Sequence, residues 1–430
     1  MKHYPNIINL TAGTSRSWTT HVFTALLPVM VVSTTMNGGR ISLKPEVKTI
    51  ASQPSWVIRT ADVELAVTQL GGHMAPVTFY RRSAGPFQPY YISPWQGDGL
   101  TIDEPVLVPL RGDFFCAPFG NNVDAYRGEK HCLHGEPPTA KWTFVDLDKD
   151  GATTSLVMSM KTNVRQGKIT KRLTLVDGQN VVYSRNTLEG YSGAMPLGHH
   201  ATLALPEQEG SVRVSTSPFR LGMTYPVPSG DPTVGEYQSL AINKPFKNLT
   251  RVPLIWKGEG SCDASEYPAR KGFADLLAVF NKSGKTPAWT TATFTKQGYL
   301  WFSLKDANVL NSTLFWISNH GRHSFPWNGR NRCLGLEDVC GYFALGLADS
   351  VRPNPLTKAG IRTAIELSPK RPFSVNYIQG VVKTPRGFGR VKSAKFTPGK
   401  VTFVSPNGKT ATAEVCHEFL ADGRLLDCGA

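Results

Sequence analysis

Residues 169–184 read ITKRLTLVDGQNVVYS, and this stretch sets the fold class. Ile169, Leu173 and Leu175 fall on alternate positions with Thr170, Arg172 and Thr174 between them. Asp177-Gly178 follows as a turn signal, and NVVYS resumes the run. Period-two alternation broken by Asp-Gly predicts a β-hairpin. The same period recurs on either side. Val63, Leu65 and Val67 alternate ahead of Gly71-Gly72, as do Leu156, Met158 and Met160, and then Val212 and Val214. The 430 residues include 40 Gly and 31 Pro, enough turn residues to separate many short strands. The expectation is an all-β protein built as a large antiparallel sandwich, with few short helices. Only FADLLAVFNK, residues 273–282, reads as a helix.

Three segments follow from the pattern. Residues 1–40 form a leader: Lys2, His3 and Arg16 precede the apolar run Val22–Val32. That run is too short to span a membrane and has the layout of a secretory signal, so the leader is expected to be cleaved or disordered, in an exported protein; otherwise the protein is cytoplasmic. Residues 41–370 carry the sandwich. Beyond Pro369–Pro372, residues 371–430 are expected as a C-terminal β extension, either an appendage or the last strands of the sandwich.

Lys and Arg number 47 against 32 Asp and Glu, a formal charge of +15. The cations are scattered apart from a cluster between Lys383 and Lys400, with no nucleic-acid motif, so the charge reads as a solvated basic surface rather than a nucleic-acid site. Seven cysteines show no CxxC pair, and Cys416 and Cys428 form the sequence-local candidate for a disulfide.

Chemistry concentrates in Leu110–Trp142, LRGDFFCAPFGNNVDAYRGEKHCLHGEPPTAKW, which has no regular period. Such a segment is either a site-forming loop or a polar surface connection. His131 and His134 flank Cys132, but no second cluster of matching spacing completes a zinc site, and no metal is expected. In Gly198-His199-His200 the two histidines must point to opposite faces of a strand, so one at most faces a site. Glu337 lies in RCLGLEDVC, residues 332–340, where an apolar setting would raise its pKa and suit a general base. The alternative is an ion pair with Arg322, Arg330 or Arg332. No nucleophile elbow, P-loop or dinucleotide fingerprint stands in a credible context.

Taken in order, VELAVTQLGGHMAPVTF, PFGNN, HGEPPTAKW, NTLEGYSGAMPLGHHATLALP and LGLEDVCGYF resemble the galactose mutarotase-like superfamily over residues 56–370. Its members include aldose 1-epimerases and hexose-phosphate mutarotases. The resemblance implies a β-supersandwich with a sugar site, no cofactor, and a sugar or sugar-phosphate substrate. It implies that His200 is the general acid at the ring oxygen and Glu337 the general base at the anomeric hydroxyl. His134 would bind the sugar, with Asn121 and Asn122 beside it. Arg111 and Lys141 flank the stretch and would suit an anionic substrate. Two other functions fit the same scaffold: sugar binding without turnover, and polysaccharide lyase chemistry.

Overall fold

The computed structural model describes residues 39–425 except Lys257 and Glu259. The leader expected over residues 1–40, including the run Val22–Val32, therefore lies almost wholly outside the described residues, as does Cys428.

The decisive stretch forms antiparallel strands Gly167–Val176 and Val181–Glu189, with Leu175 opposite Val182 and Ile169 opposite Leu188. Gly178 turns the chain at φ 82°, a conformation that costs a residue without Cβ little. These strands sit inside a ten-stranded antiparallel sheet. Its spatial order starts Ile41–Ser42, Thr143–Asp150, Thr153–Thr162, then the hairpin, then Phe373–Lys383. Tyr299–Lys305, Ala288–Phe294, Val212–Thr216 and Glu266–Tyr267 complete it.

A seven-stranded antiparallel sheet faces it. Its order is Pro245–Phe246, Phe219–Thr224, Phe273–Asn281, Ser312–Asn319, Arg332–Cys340, Leu197–Ala204 and Phe115–Cys116. The main core fills the space between, with Leu156, Leu173 and Leu175 from one sheet against Leu203, Phe315 and Leu336 from the other. A four-stranded sheet over residues 46–79 adds Val63, Leu65 and Val67 to that core. The seven-stranded sheet is apolar on its second face too, where Phe114, Leu276, Ala278 and Phe280 form a separate cluster.

That two-sided burial explains the misread helix. Residues 273–281 are a strand in the middle of the seven-stranded sheet. Leu277 and Val279 face the main core while Leu276, Ala278 and Phe280 face the second cluster. With both faces apolar the period of two vanishes, and FADLLAVFNK shows only a continuous apolar run. The helices among the described residues are short: Leu347–Val351, Pro355–Lys358 and Phe419–Asp422, with two single-turn 3₁₀ segments. None is long and apolar enough to cross a membrane.

The C-terminal segment has two parts. Phe373–Lys383 lies between Val181–Glu189 and Tyr299–Lys305 in the ten-stranded sheet. The sheet of Ser393–Thr397, Lys400–Val404 and Thr410–Glu414 then covers that sheet's outer face, Val401 and Phe403 packing with Leu300, Phe302 and Ile378. Cys416, in this layer, is disulfide-bonded, while Cys116, Cys132, Cys262, Cys333 and Cys340 are free thiols.

Candidate functional site

The two strands Leu197–Ala204 and Arg332–Cys340 are hydrogen-bonded neighbours, registered so that His199 faces Asp338 and His200 faces Glu337. Alternation sends His200 and Glu337 to one face of the sheet and His199 and Asp338 to the other. On the outer face, His200 Nε2 lies 3.2 Å from Glu337 Oε1. Both side chains are buried, and Glu337 Oε2 has no hydrogen-bond partner among the described residues. The pair stands at the floor of a cavity of about 360 Å³, within the size range of small-molecule sites.

Gly335 makes room for the carboxyl group. It occupies the position two residues before Glu337 on the same face, and a Cβ there would lie 2.7 Å from Glu337 Oε1. Phe114 stacks on the His200 ring at 4.5 Å and 19°, and its carbonyl accepts the His200 amide at 2.9 Å. The ring's Nδ1 is 3.2 Å from Thr202 Oγ1. His134 meets His200 edge-on, with ring centroids 4.9 Å apart. It sits at φ +61°, a conformation a non-glycine residue adopts rarely and one that clusters at functional sites. The Gly120 amide donates to its Nδ1 at 3.3 Å, so Nε2 carries the proton.

Burial dominates the electrostatics. It pushes the Glu337 carboxyl well above the usual range and the His200 imidazole down to about 4. His134 is held well below its usual value by burial and then by the neighbouring charges of His200 and His73. Burial thus favours the arrangement in which a proton shared by the dyad lies on Glu337 facing an uncharged imidazole.

Of the residues expected at a site, Asn121, His134, His200 and Glu337 line this cavity. Two others do not. Asn122 is structural: its Nδ2 donates to the carbonyls of Pro118, Gly120 and Cys132, and its Oδ1 accepts from the Leu347 amide. Arg111 is fully buried behind the wall. Its guanidinium donates to the carbonyls of Pro109, Ile50 and Ala51 and to Gln96 Oε1, at 2.8 to 3.1 Å, and Arg111 does not line the cavity. The chain needs that fork to satisfy carbonyls of a turn, a demand that sequence spacing does not reveal. Lys141 is exposed and also lies off the cavity. His131 bonds Glu129 at 2.9 Å and Cys132 donates to the Gly135 carbonyl. Among the described residues no cluster of three or more metal-ligating side chains occurs.

None of the three arginines named as alternative partners pairs with Glu337 among the described residues. Arg322 pairs with Glu236 at 2.7 Å, Arg330 with Asp98 at 2.8 Å, and Arg332 donates to the Leu205 carbonyl. Arg322 does line the cavity, together with Tyr225, Trp316 and Trp327, none of which sequence reading selected as ligands. Trp316 lies on the strand beside that of Glu337, directly opposite Gly335, a pairing that no residue pattern in the sequence announces. Glu236 anchors this wall, taking the amides of His323 and Ser324 and the Ser324 hydroxyl. Burial acts to raise its pKa, but the Ser324 and Arg322 bonds overcome it and hold the carboxylate at about 2.

Solved structures share this architecture. A proposed aldose 1-epimerase from Klebsiella pneumoniae superposes with a TM-score of 0.56 at 12% identity, over 80% of this chain and 87% of that one. A proposed mutarotase from Salmonella typhimurium gives 0.51 at 11% identity, over 79% and 94%. A proposed aldose 1-epimerase from Escherichia coli gives 0.50 at 12%, over 76% and 98%. No family model matches the sequence, and no curated protein does. The chain has the galactose mutarotase-like fold, an all-β supersandwich.

Proposed function

We propose that the protein interconverts the anomers of a reducing sugar by acid–base ring opening, as an aldose 1-epimerase-like mutarotase. The observation that carries this reading is the buried His200–Glu337 contact of 3.2 Å at the base of a sugar-sized cavity, with one carboxyl oxygen unpartnered among the described residues. Opening a hemiacetal requires a proton delivered to the ring oxygen and another removed from the anomeric hydroxyl. Those two oxygens share one carbon, so the acid and the base that serve them must both stand within hydrogen-bond reach of that one centre, which two neighbouring groups on one cavity wall can do.

The proton count closes. Moving the dyad's single proton to His200 Nε2 leaves an imidazolium and a carboxylate. The imidazolium then protonates the ring oxygen while the carboxylate takes the hydroxyl proton and the C1–O5 bond breaks. The dyad ends with a neutral imidazole and a carboxylic acid, the form that burial favours. The open aldehyde turns about C1–C2 and closes on its other face as both transfers reverse. Each positioned group supplies ~10²–10⁴ in rate. No electron changes hands, so the step needs only these side chains. His134 Nε2–H and Asn121 serve as hydroxyl partners, and Trp316 and Trp327 offer apolar faces for the C–H side of the ring.

Polarimetry of freshly dissolved α-anomers of several hexoses and hexose phosphates tests the reading. Wild type should accelerate mutarotation, and Glu337→Gln and His200→Asn should each abolish the acceleration while the melting profile stays cooperative. Sugar binding with no acceleration on any of them would replace the reading with binding alone.

A further inference from the structure

The residues that alternate with the dyad along the chain form a second layer. Phe114, His200 and Glu337 face the cavity; their neighbours Asp113, His199 and Asp338 face the main core. These three inner residues are all tied to the ten-stranded sheet. Asp338 accepts from Lys305 Nζ at 2.6 Å, Ser303 Oγ at 2.7 Å and the Tyr377 hydroxyl at 2.8 Å. His199 is gripped at both ring nitrogens: Nδ1 lies 2.8 Å from Asp113 Oδ2 and Nε2 lies 3.0 Å from Asn186 Nδ2. Its ring also stacks on Tyr377 at 4.2 Å and 24°. Gln379 Nε2 donates to the same Asp113 oxygen at 3.0 Å, and Tyr90 fixes Gln379 in turn at 2.7 Å.

We infer that Asp113 and His199 are positioning residues for His200, acting from the opposite face of the same two chain segments. The inference rests on the ring-opening reading for its catalytic consequence, though not for its geometry. His199 fixes the rotation of the strand from which His200 projects. Asp113 fixes the segment from which Phe114 both stacks on the His200 ring and accepts its amide. Stability alone does not call for this layer, because well-packed apolar side chains of similar volume generally serve a core as well as buried charged groups do. Directional bonds at both nitrogens of one ring supply what apolar packing does not, a single orientation. A shift of about 1 Å in a reacting group costs on the order of 10²-fold in rate, so such a device has a rate to protect.

The experiment compares wild type with three variants. Asp113→Leu/His199→Phe replaces both partners by apolar shapes and takes one acceptor each from Gln379 Nε2 and Asn186 Nδ2. Asn186→Leu releases only the Nε2 side of His199. Asp113→Asn keeps an amide oxygen that still accepts from Nδ1–H. Two readouts are taken on each: the ¹⁵N shifts of the His200 ring, assigned by their loss in His200→Asn, and kcat and KM by polarimetry. The double variant should move or broaden the His200 signals and lower kcat by ~10–100-fold with KM within about twofold. Asn186→Leu should act in the same direction more weakly, and Asp113→Asn should recover most of the loss. Wild-type His200 signals in the folded double variant, or in Asn186→Leu if the double variant does not fold, overturn the inference. A wild type that turns over no sugar sinks the ring-opening reading, and the His200 signals alone then decide the positioning role.

Discussion

Replacing Gly335 by alanine puts a methyl group at the foot of the dyad. The glycine lies opposite Thr202 on one neighbouring strand and Trp316 on the other, under the Glu337 side chain. An added Cβ would stand 2.7 Å from Glu337 Oε1 and 3.0 Å from Trp316 Cβ, where ordinary contact begins at 3.4 Å. Trp316 Cβ is fixed to its strand, so the carboxyl group must recede, by about 0.7 Å. Glu337 now sits 3.2 Å from His200, and that displacement carries it out of good hydrogen-bond range unless it turns toward the cavity. Scaling from a cost of ~10² per Å of misplacement, kcat should fall roughly 10–30-fold. Global stability should change by only about 1 kcal/mol, since alanine gains the entropy glycine loses in a strand and the clash falls on a side chain bordering a cavity. The assay is polarimetric kcat and KM beside a urea melt of the same preparation. A folded Gly335→Ala with wild-type kcat would refute the claim that the glycine exists to seat the carboxyl group.

Arg111→Met should destabilise the fold by about 3–5 kcal/mol in urea, because it strips the donors from three carbonyls and Gln96 in a buried site; KM of the surviving folded protein should stay within twofold, whereas a large rise would return Arg111 to the substrate. Stability should fall as pH drops below 6.5. Burial lowers His73 to about 3 and His134 well below its usual value, so the unfolded chain takes up protons near pH 6.5 that the folded chain refuses. Stability from these two rings is fully present above pH 6.5 and is lost toward their folded values, about 2 kcal/mol for His73 between pH 6.5 and 5 with His134 adding in the same direction; chemical melts across that window should show the slope, and a flat profile would contradict it. Trp327→Ala should raise KM about 5–30-fold with little change in kcat, the loss of one ~1–2 kcal/mol aromatic face that contacts sugar without moving protons; a kcat effect without a KM effect would place Trp327 in the chemistry instead.

Local order announced most of the β architecture. The 169–184 hairpin is visible because Ile169, Leu173 and Leu175 alternate with Thr170, Arg172 and Thr174, interrupted only by the buried Lys171, and Asp-Gly marks its turn. Residues 273–281 mislead for the opposite reason: apolar layers on both sides of the seven-stranded sheet erase the alternation. The candidate site was legible where chain periodicity carried it. Adjacent His199 and His200 had to diverge, and the strand then sent one to the cavity and one to the core. Arg111 and Asn122 misled because a polar residue in an aperiodic loop looks the same from sequence whether it meets a ligand or caps the loop's own carbonyls.

The sequence by itself determined the class of fold, the opposed directions of His199 and His200, and the apolar setting of Glu337, since all three follow from side chains alternating along one strand. Only the tertiary structure decided that His200 and Glu337 touch. Their 137-residue separation is closed by strand register, which depends on how Leu197–Ala204 and Arg332–Cys340 share the core between two sheets. A shift of one residue in that register would have set His200 beside Asp338 or Leu336 in place of Glu337, and no local signal along either strand distinguishes those pairings.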